Sequence, residues 1–175
     1  MTQDEALSHI DAQGGVRMVD VGTKPESSRQ AIARSIVQLS RRTFTLLQDR
    51  ALPKGDVLTT AQIAGIQAGK QTPQLIPMCH PLPLSHLNVQ FRLEPEAAQI
   101  HVEALAATTA STGVEMEAMV AAQIAALTIY DMCKAVQKDI VISEARLVYK
   151  AGGRSGIYDI RENAPDPDGR QEVSS

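Results

Sequence analysis

The stretch AMVAAQIAALTIYDMCK (residues 118–134) constrains this chain more than any other. Only Gln123 and Thr128 are plainly polar before Asp131, and such a run predicts a helix that is buried on most of its surface. Asp131 and Lys134 follow it one helical turn apart and therefore share a face. Their apolar neighbours predict that Asp131 is more buried than solvated. Because buried charges are costly unless they are used, we favour an acid/base function for this pair over a surface salt bridge.

The same helix is predicted to begin near Thr112 and Gly113 and to run to about Val136. Glu115 and Glu117 fall in its first turn. Acids there can simply complement the positive end of the helix. They also lie two residues apart and point in different directions, so one carboxylate can project into a pocket. The pattern does not decide between these two interpretations.

Composition limits the classes of function that this chain can have. A net charge of -3, a pI near 5.8 and an aromatic content of 3% argue against a general nucleic-acid binder. Two cysteines are too few for a disulfide scaffold. No signal peptide and no membrane span are predicted. We therefore expect a cytoplasmic protein with one domain over residues 15–160, a flexible tail over 1–14 and a disordered tail over 161–175.

The remaining pattern predicts an α+β fold, with helices on one face of an antiparallel sheet. The exposed sheet edge and the apolar helix suggest that partner subunits cover part of the surface. Residues 29–39 fit a helix and a strand about equally well. The predicted strands cover residues 16–21, 84–93, 99–105 and 140–150; the predicted helices cover residues 43–48 and a segment that Asp56 caps and that ends near Gly69.

Further candidate site residues lie in loops and in a proline-rich segment, residues 75–83. Cys79 and His80 stand there between alternating prolines, which favour a rigid, extended site wall. Taken alone, His80 is more often a satisfied core histidine. Four basic residues in loops are each predicted to be solvated: Lys54, Lys70, Lys150 and Arg154. Together, Lys54, Lys134, Lys150 and Arg154 could balance a polyphosphate.

Six segments stand in the same order as in a known family, and together they are very specific. They are MVDV (18–21), KGD (54–56), AGIQA (64–68), IPMCHPL (76–82), TGVEMEA (112–118) and LTIYDMCKA (127–135). From about residue 16 to residue 156 the chain resembles the MoaC family, whose members make cyclic pyranopterin monophosphate in molybdenum cofactor biosynthesis. The resemblance implies a ferredoxin-like subunit, a homohexamer built as a trimer of dimers, and active sites at dimer interfaces. It also implies that residues 29–39 form a strand.

The resemblance implies a substrate, 3′,8-cyclo-7,8-dihydro-GTP, and pyrophosphate as a second product. It assigns Asp131 as the catalytic residue, with Lys54 and Lys134 working beside it. It implies that further residues bind the substrate: Met78, Cys79, His80, Glu115, Met116 and Glu117. Arg29, Lys150 and Arg154 are candidates for contacts with its phosphates.

The expected reaction is not a redox reaction, so no redox cofactor is expected. Mg²⁺ could accompany the triphosphate, although no carboxylate cluster requires it. Clustered lysines are expected to depress one another's pKa. The loop KAGGRSG (150–156) departs from the family's usual KSGGKSG at two positions. Arg154 keeps the charge of a lysine but not its geometry, and Ala151 lacks a hydroxyl group.

The residues alone also allow two other hypotheses about the function. One is a nucleotide-binding regulatory module without catalysis. The other is a metal-dependent hydrolase that uses Cys79, His80 and Cys133.

Overall fold

A computed structural model describes residues 14–153 and 156–161 of the chain. Within these residues, five strands and four helices follow one another in an α+β arrangement. In chain order they are β1 (Ser27–Gln38), α1 (Arg41–Gln48), α2 (Val57–Lys70), α3 (Thr72–Leu75), β2 (His86–Glu94), β3 (Gln99–Ala110), α4 (Glu115–Cys133), β4 (Val141–Ala151) and β5 (Tyr158–Asp159). The predicted tails lie outside the described residues, apart from Gly14 and Arg161.

The strands form one antiparallel sheet in the order β2-β3-β1-β4-β5. Strand β1 lies at its centre and pairs along its whole length with β3. Ala31, Ala33 and Val37 alternate along β1 and join the hydrophobic core beside α4. The predicted fold class is confirmed: helices pack on one face of an antiparallel sheet, consistent with a ferredoxin-like fold.

Small side chains let α2 and α4 approach each other closely. A Cβ atom added to Gly65 would lie 2.8 Å from the backbone oxygen of Ala121 and 3.1 Å from Cβ of Ala125. One added to Gly69 would lie 3.2 Å from the backbone oxygen of Glu117. The two helices therefore run antiparallel, with the backbone of α4 against the glycines of α2. This contact fixes where both ends of α4 stand.

Several elements confirm the sequence predictions. Residues 29–39 form most of β1, so the strand that the resemblance implied is confirmed. Asp56 caps α2 as predicted, since its side chain accepts a hydrogen bond of 3.1 Å from the backbone N–H of Thr59. The predicted long helix is α4, which begins and ends two to three residues inside the predicted bounds.

At the edges of the domain one prediction was wrong and one element was missed. Residues 16–21 contain only an isolated bridge at Val16 instead of a strand. Their alternating pattern reflects Val19 and Val21 lining a cavity rather than a sheet face. Strand β5 was not predicted, because its two exposed residues carry almost no hydrophobic signal. It is held instead by Arg161, which pairs with Asp159 at 2.7 Å and lies over the Tyr149 ring.

Among the described residues, one helix, α4, is long and apolar enough to cross a membrane by length and composition alone. Its alanines at positions 118, 121, 122, 125 and 126 are fully buried inside the domain. Core helices of soluble proteins have the same composition.

The close contact between α2 and α4 leads to a stability prediction. Gly65→Val should lower the free energy of unfolding by about 2–3 kcal/mol, because the new side chain meets rigid backbone on α4. Gln67→Val, at an exposed position of the same helix, is the matched control and should change stability by only about 0.5 kcal/mol. Urea denaturation measures both values. Equal losses in the two variants would contradict the packing described here.

Candidate active site

Asp131 lies in the last turn of α4 with a lysine on each carboxylate oxygen. Lys134 Nζ is 2.7 Å from Oδ1, and Lys54 Nζ is 2.8 Å from Oδ2. Lys54 also donates to the backbone oxygen of Asp131 at 2.9 Å. It comes from the loop between α1 and α2, where Gly55 turns the chain with a φ of 88°. The structure thus brings together the three residues predicted to be catalytic.

The electrostatic state of this cluster differs from the prediction. The Asp131 side chain is 51% exposed in the single subunit, so the prediction that it is buried was wrong here. Hydrogen bonds from Lys134 and Lys54 lower its pKa to about 2. The predicted depression of lysine pKa was also wrong for Lys134, because its hydrogen bond to Asp131 raises its pKa. Near neutral pH the pair is a carboxylate and an ammonium.

A second group of candidate residues surrounds a cavity of about 300 Å³ at the first turn of α4. Met78, Cys79 and His80 form one wall. Met116 and Glu117 form another. The predicted extended path was wrong for residues 75–79, because Leu75 ends α3 and the backbone N–H of Cys79 donates to the carbonyl oxygen of Ile76 at 3.1 Å in a turn. Nε2 of His80 is 2.8 Å from the carbonyl oxygen of Val19. Since a carbonyl only accepts, Nε2 donates, and neutral His80 keeps Nδ1 as an acceptor.

Glu117 is 3% exposed, which decides between the two interpretations of the first-turn acids in favour of a carboxylate directed inward. Burial raises its pKa, whereas its own backbone N–H lowers it. No described lysine or arginine forms an ion pair with Glu117 in this subunit. Burial also raises the pKa of the Cys79 thiol, with a further contribution from Glu117. Such a carboxyl group is suited to hydrogen bonding with a ligand.

Two of the three phosphate candidates, Lys150 and Arg29, lie near this cavity. Lys150 Nζ is 3.2 Å from Oε1 of Glu115, which lines the cavity. Arg29 donates to the carbonyl oxygens of Ala110 and Ser111 at 3.3 and 3.2 Å. Gly153 packs so closely on the Arg29 guanidinium that a Cβ there would meet it. Arg154 lies outside the described residues.

The two groups of residues stand at opposite ends of α4. Asp131 comes fifteen residues after Met116, which corresponds to about 22 Å along a helix. We call them the N-end group (Met78, Cys79, His80, Glu115, Met116, Glu117, Lys150) and the C-end group (Lys54, Asp131, Lys134). One subunit therefore does not bring all the predicted site residues together.

The cysteines do not form a metal site. Cys79 belongs to the N-end group, whereas Cys133 is fully buried beside the C-end group, where burial raises its pKa to about 11. Among the described residues, no group of three His, Cys, Asp or Glu side chains is placed to hold a metal ion. The structure therefore gives no support to a hydrolase that uses Cys79, His80 and Cys133.

The sequence profile of the MoaC family matches residues 18–153, which include every described residue of both groups. This chain belongs to the MoaC family. It is 58% identical over 158 residues to a cyclic pyranopterin monophosphate synthase of Nitratidesulfovibrio vulgaris, covering 90% of this chain and 98% of the relative. The enzyme of the same name from Oleidesulfovibrio alaskensis is 59% identical over 152 residues, with 87% and 96% covered. That of Pelotomaculum thermopropionicum is 50% identical over 153 residues, with 87% and 90% covered.

Some cavity residues of this MoaC chain were missed by sequence reasoning. Val19, Val21 and Lys24 line the cavity from the segment that was predicted as a strand and turn. Because the carbonyl of Val19 acts through the backbone, no side-chain pattern could have identified it. Lys24 could have been found as a cation close to the MVDV segment, which the family resemblance already included.

The contacts of Asp131 lead to a prediction about titration. Its carboxyl group should titrate near pH 2 in the wild type, and its pKa should return toward the ordinary 3.8 in Lys54→Met/Lys134→Met. The lowered pKa of Asp131 favours its carboxylate in the folded state. The contribution of this ionised group to the free energy of unfolding is therefore present above pH 3.8 and is lost as the pH falls toward 2. Carboxyl ¹³C chemical shifts above the pH of acid unfolding measure the change.

Asp56 provides the internal control for this titration. Its pKa is lowered mainly by the backbone hydrogen bond from Thr59, not by either lysine. Its titration should therefore be the same in the wild type and in the double variant. An Asp131 titration that is unchanged in the double variant would contradict the assigned contacts.

Proposed function

We propose that this MoaC chain converts 3′,8-cyclo-7,8-dihydro-GTP to cyclic pyranopterin monophosphate and pyrophosphate, an early step of molybdenum cofactor biosynthesis. One observation carries the proposal most directly: Asp131 is held between Lys54 and Lys134 at 2.8 and 2.7 Å. The chain is also 58% identical to a relative that is named a cyclic pyranopterin monophosphate synthase. The reaction is a lyase reaction that needs proton transfers but no net oxidation or reduction.

The C-end group contains a base and an acid for these proton transfers. Near neutral pH the Asp131 carboxylate is ionised, but its pKa of about 2 makes it a weak base while both lysines contact it. Contact with Asp131 likewise raises the pKa of Lys134 and makes its ammonium a weaker proton donor, so transfer requires the substrate to separate these groups. Positive charge on Lys54 and Lys134 also stabilises the negative charge that develops as pyrophosphate departs. In this mechanism Asp131 orients both lysines as well as exchanging protons.

The N-end group is suited to substrate recognition. Nδ1 of neutral His80 accepts a hydrogen bond, and Glu117 offers a buried carboxyl group to ring N–H donors of a pterin precursor. The thioether side chains of Met78 and Met116 line the same cavity and can pack on a flat ring. Lys150 and Arg29 supply positive charge for the phosphates, and Arg154 is a further candidate. Any Mg²⁺ in the reaction would accompany the triphosphate.

The distance between the two groups supports a shared active site. Acid and base groups act within about 3 Å of the atoms that exchange protons, whereas these groups lie at opposite ends of α4. We therefore propose that the C-end group of one subunit completes the N-end group of another. In a two-fold dimer this arrangement forms two equal sites. Three such dimers form the hexamer that we propose for the active enzyme.

The proposed role of Asp131 is tested by turnover of purified protein on the cyclo-GTP intermediate. Asp131→Asn should lower kcat by about 10²–10⁴-fold, the range for general acid/base groups. The exposed Asp139→Asn, in the loop after α4, is the matched control and should keep normal turnover. Normal turnover by Asp131→Asn would remove Asp131 from the mechanism. Wild-type protein that binds the intermediate but forms no product would instead be a regulatory module.

The shared site is tested by mixing inactive variants. Co-expressed Asp131→Asn and Glu117→Gln subunits should recover about a quarter of wild-type activity, because half of random dimers are mixed and each mixed dimer has one intact site. Asp131→Asn mixed with Lys134→Met is the matched control, since both changes damage the C-end group. That pair should recover nothing. Equal activity in the two mixtures, with assembly preserved, would show that each site lies within one subunit.

A further inference from the structure

Three side chains hold the last described strand on the sheet. Arg161 donates two side-chain hydrogen bonds to Asp159, from Nε to Oδ1 at 2.9 Å and from Nη2 to Oδ2 at 2.7 Å. Its backbone N–H donates to Oδ1 of the same carboxylate at 3.0 Å. The centre of its guanidinium group lies 4.1 Å from the centroid of the Tyr149 ring on β4, which is within the range of a cation–π contact. We call Tyr149, Asp159 and Arg161 the Arg161 cluster.

Strand β5 depends on this cluster because it has few other contacts with the sheet. It consists of two exposed residues at the edge of the sheet beside β4. The backbone N–H of Ile160 adds one hydrogen bond of 2.9 Å to the carbonyl oxygen of Val148. So short a strand with no buried apolar side chain pairs weakly on its own. The bidentate bond to Asp159 orients the guanidinium, and the guanidinium then contacts β4 through Tyr149.

The pairing reaches β4 next to a residue of the N-end group. Tyr149 stands opposite Asp159 in the register, and Lys150 stands opposite Tyr158. Successive side chains of a strand point to opposite faces of the sheet. Tyr149 therefore meets Arg161 on one face, whereas Lys150 points to α4 on the other, where its Nζ is 3.2 Å from Oε1 of Glu115. The cluster thus acts on the backbone beside Lys150 from the opposite face of the sheet.

Strand β4 is held at Lys150 from two sides. On one side Lys150 pairs with Ala31 of β1, and on the other with Tyr158 of β5. The chain that leaves this point packs closely on β1, since a Cβ atom on Gly153 would meet the Arg29 guanidinium. Loss of β5 would remove one of the two neighbours that fix the backbone of Lys150.

We infer that Arg161 is a positioning residue for Lys150: it fixes β5 against β4 and so holds the Lys150 ammonium group where the N-end group binds phosphate. Hydrogen bonds from Arg161 lower the pKa of Asp159 to about 2, so the pair that orients Arg161 is charged near neutral pH. Asp159 and Arg161 follow residues 18–153, which match the family profile, so the profile does not describe this cluster. The inference rests on the proposed function for the role of Lys150 as a phosphate contact.

Binding of inorganic pyrophosphate tests the inference without any measurement of turnover. Arg161→Met removes the charge and both side-chain hydrogen bonds and should weaken binding about threefold to tenfold in calorimetry, and Lys150→Met should weaken it at least as much. In the Lys150→Met background, Arg161→Met should have almost no further effect, because it acts through Lys150. Arg146→Met is the matched control and should leave binding unchanged. It breaks a pair of the same spacing on the same strand, between Arg146 and Glu144 at 3.0 Å.

A reversed ion pair separates positioning from a general loss of structure. Arg161→Glu should weaken pyrophosphate binding more than Arg161→Met, because it sets a like charge beside Asp159. Asp159→Lys/Arg161→Glu should recover most of that loss, since the register places its cation directly opposite Tyr149. In turnover of the cyclo-GTP intermediate, Arg161→Met should raise KM and leave kcat nearly unchanged, because it removes a binding contribution and leaves the C-end group intact.

Three results would overturn the inference. One is normal pyrophosphate binding by Arg161→Met or by Lys150→Met. Another is a full additive loss in Lys150→Met/Arg161→Met, which would show that Arg161 does not act through Lys150. The third is a reversed pair that folds but binds as weakly as Arg161→Glu. If pyrophosphate binding follows the expected pattern but wild-type protein forms no product, the proposed function fails and the positioning role stands.

Discussion

Close contact between α2 and α4 determines where the candidate site residues of α4 stand. Gly65 and Gly69 allow the backbones to approach to distances that a Cβ atom would prevent. Strands β1 and β3 support α4 from the sheet side, so the helix is a rigid core element rather than a surface helix. Its first turn supplies Met116 and Glu117 and its last turn supplies Asp131. A rigid scaffold of this kind can hold two groups of polar side chains in fixed positions.

The two ends of α4 place carboxyl groups in opposite environments. Asp131 is exposed and contacts two ammonium groups, which lower its pKa to about 2. Glu117 is almost fully buried, and burial raises its pKa. Enzymes commonly place two carboxyl groups in environments that move their pKa values apart, so that each group has a different catalytic role. Here they separate a carboxylate that is ionised near neutral pH and works with lysines from a buried group that suits hydrogen bonding to a ligand.

The sequence predicted the helices and long strands better than it predicted the burial of the site residues. Periodicity and capping identified α1, α2, α4 and most strands, because buried faces repeat along each element. The periodicity argument failed at residues 16–21, where the alternating side chains line a cavity instead of a sheet face. It also missed β5, which is stabilised by Arg161 rather than by apolar burial. Asp131 was expected to be buried because its sequence neighbours are apolar. Its side chain instead projects from the end of the helix, and helix direction cannot be deduced from neighbours alone.

The two ends of α4 offer different surroundings. The C-end group contains the paired charges for proton transfer beside an open cavity of about 450 Å³, whereas the N-end group lines a more enclosed cavity of about 300 Å³. Because α4 is a continuous helix of nineteen residues packed against α2, no local rearrangement could bring its ends together without breaking the core. Under the proposed function, the constraint that stabilises one subunit therefore also makes catalysis depend on a second copy. Turnover per subunit should then follow the fraction assembled, and it should fall on dilution below the dissociation constant of the dimer by mass action.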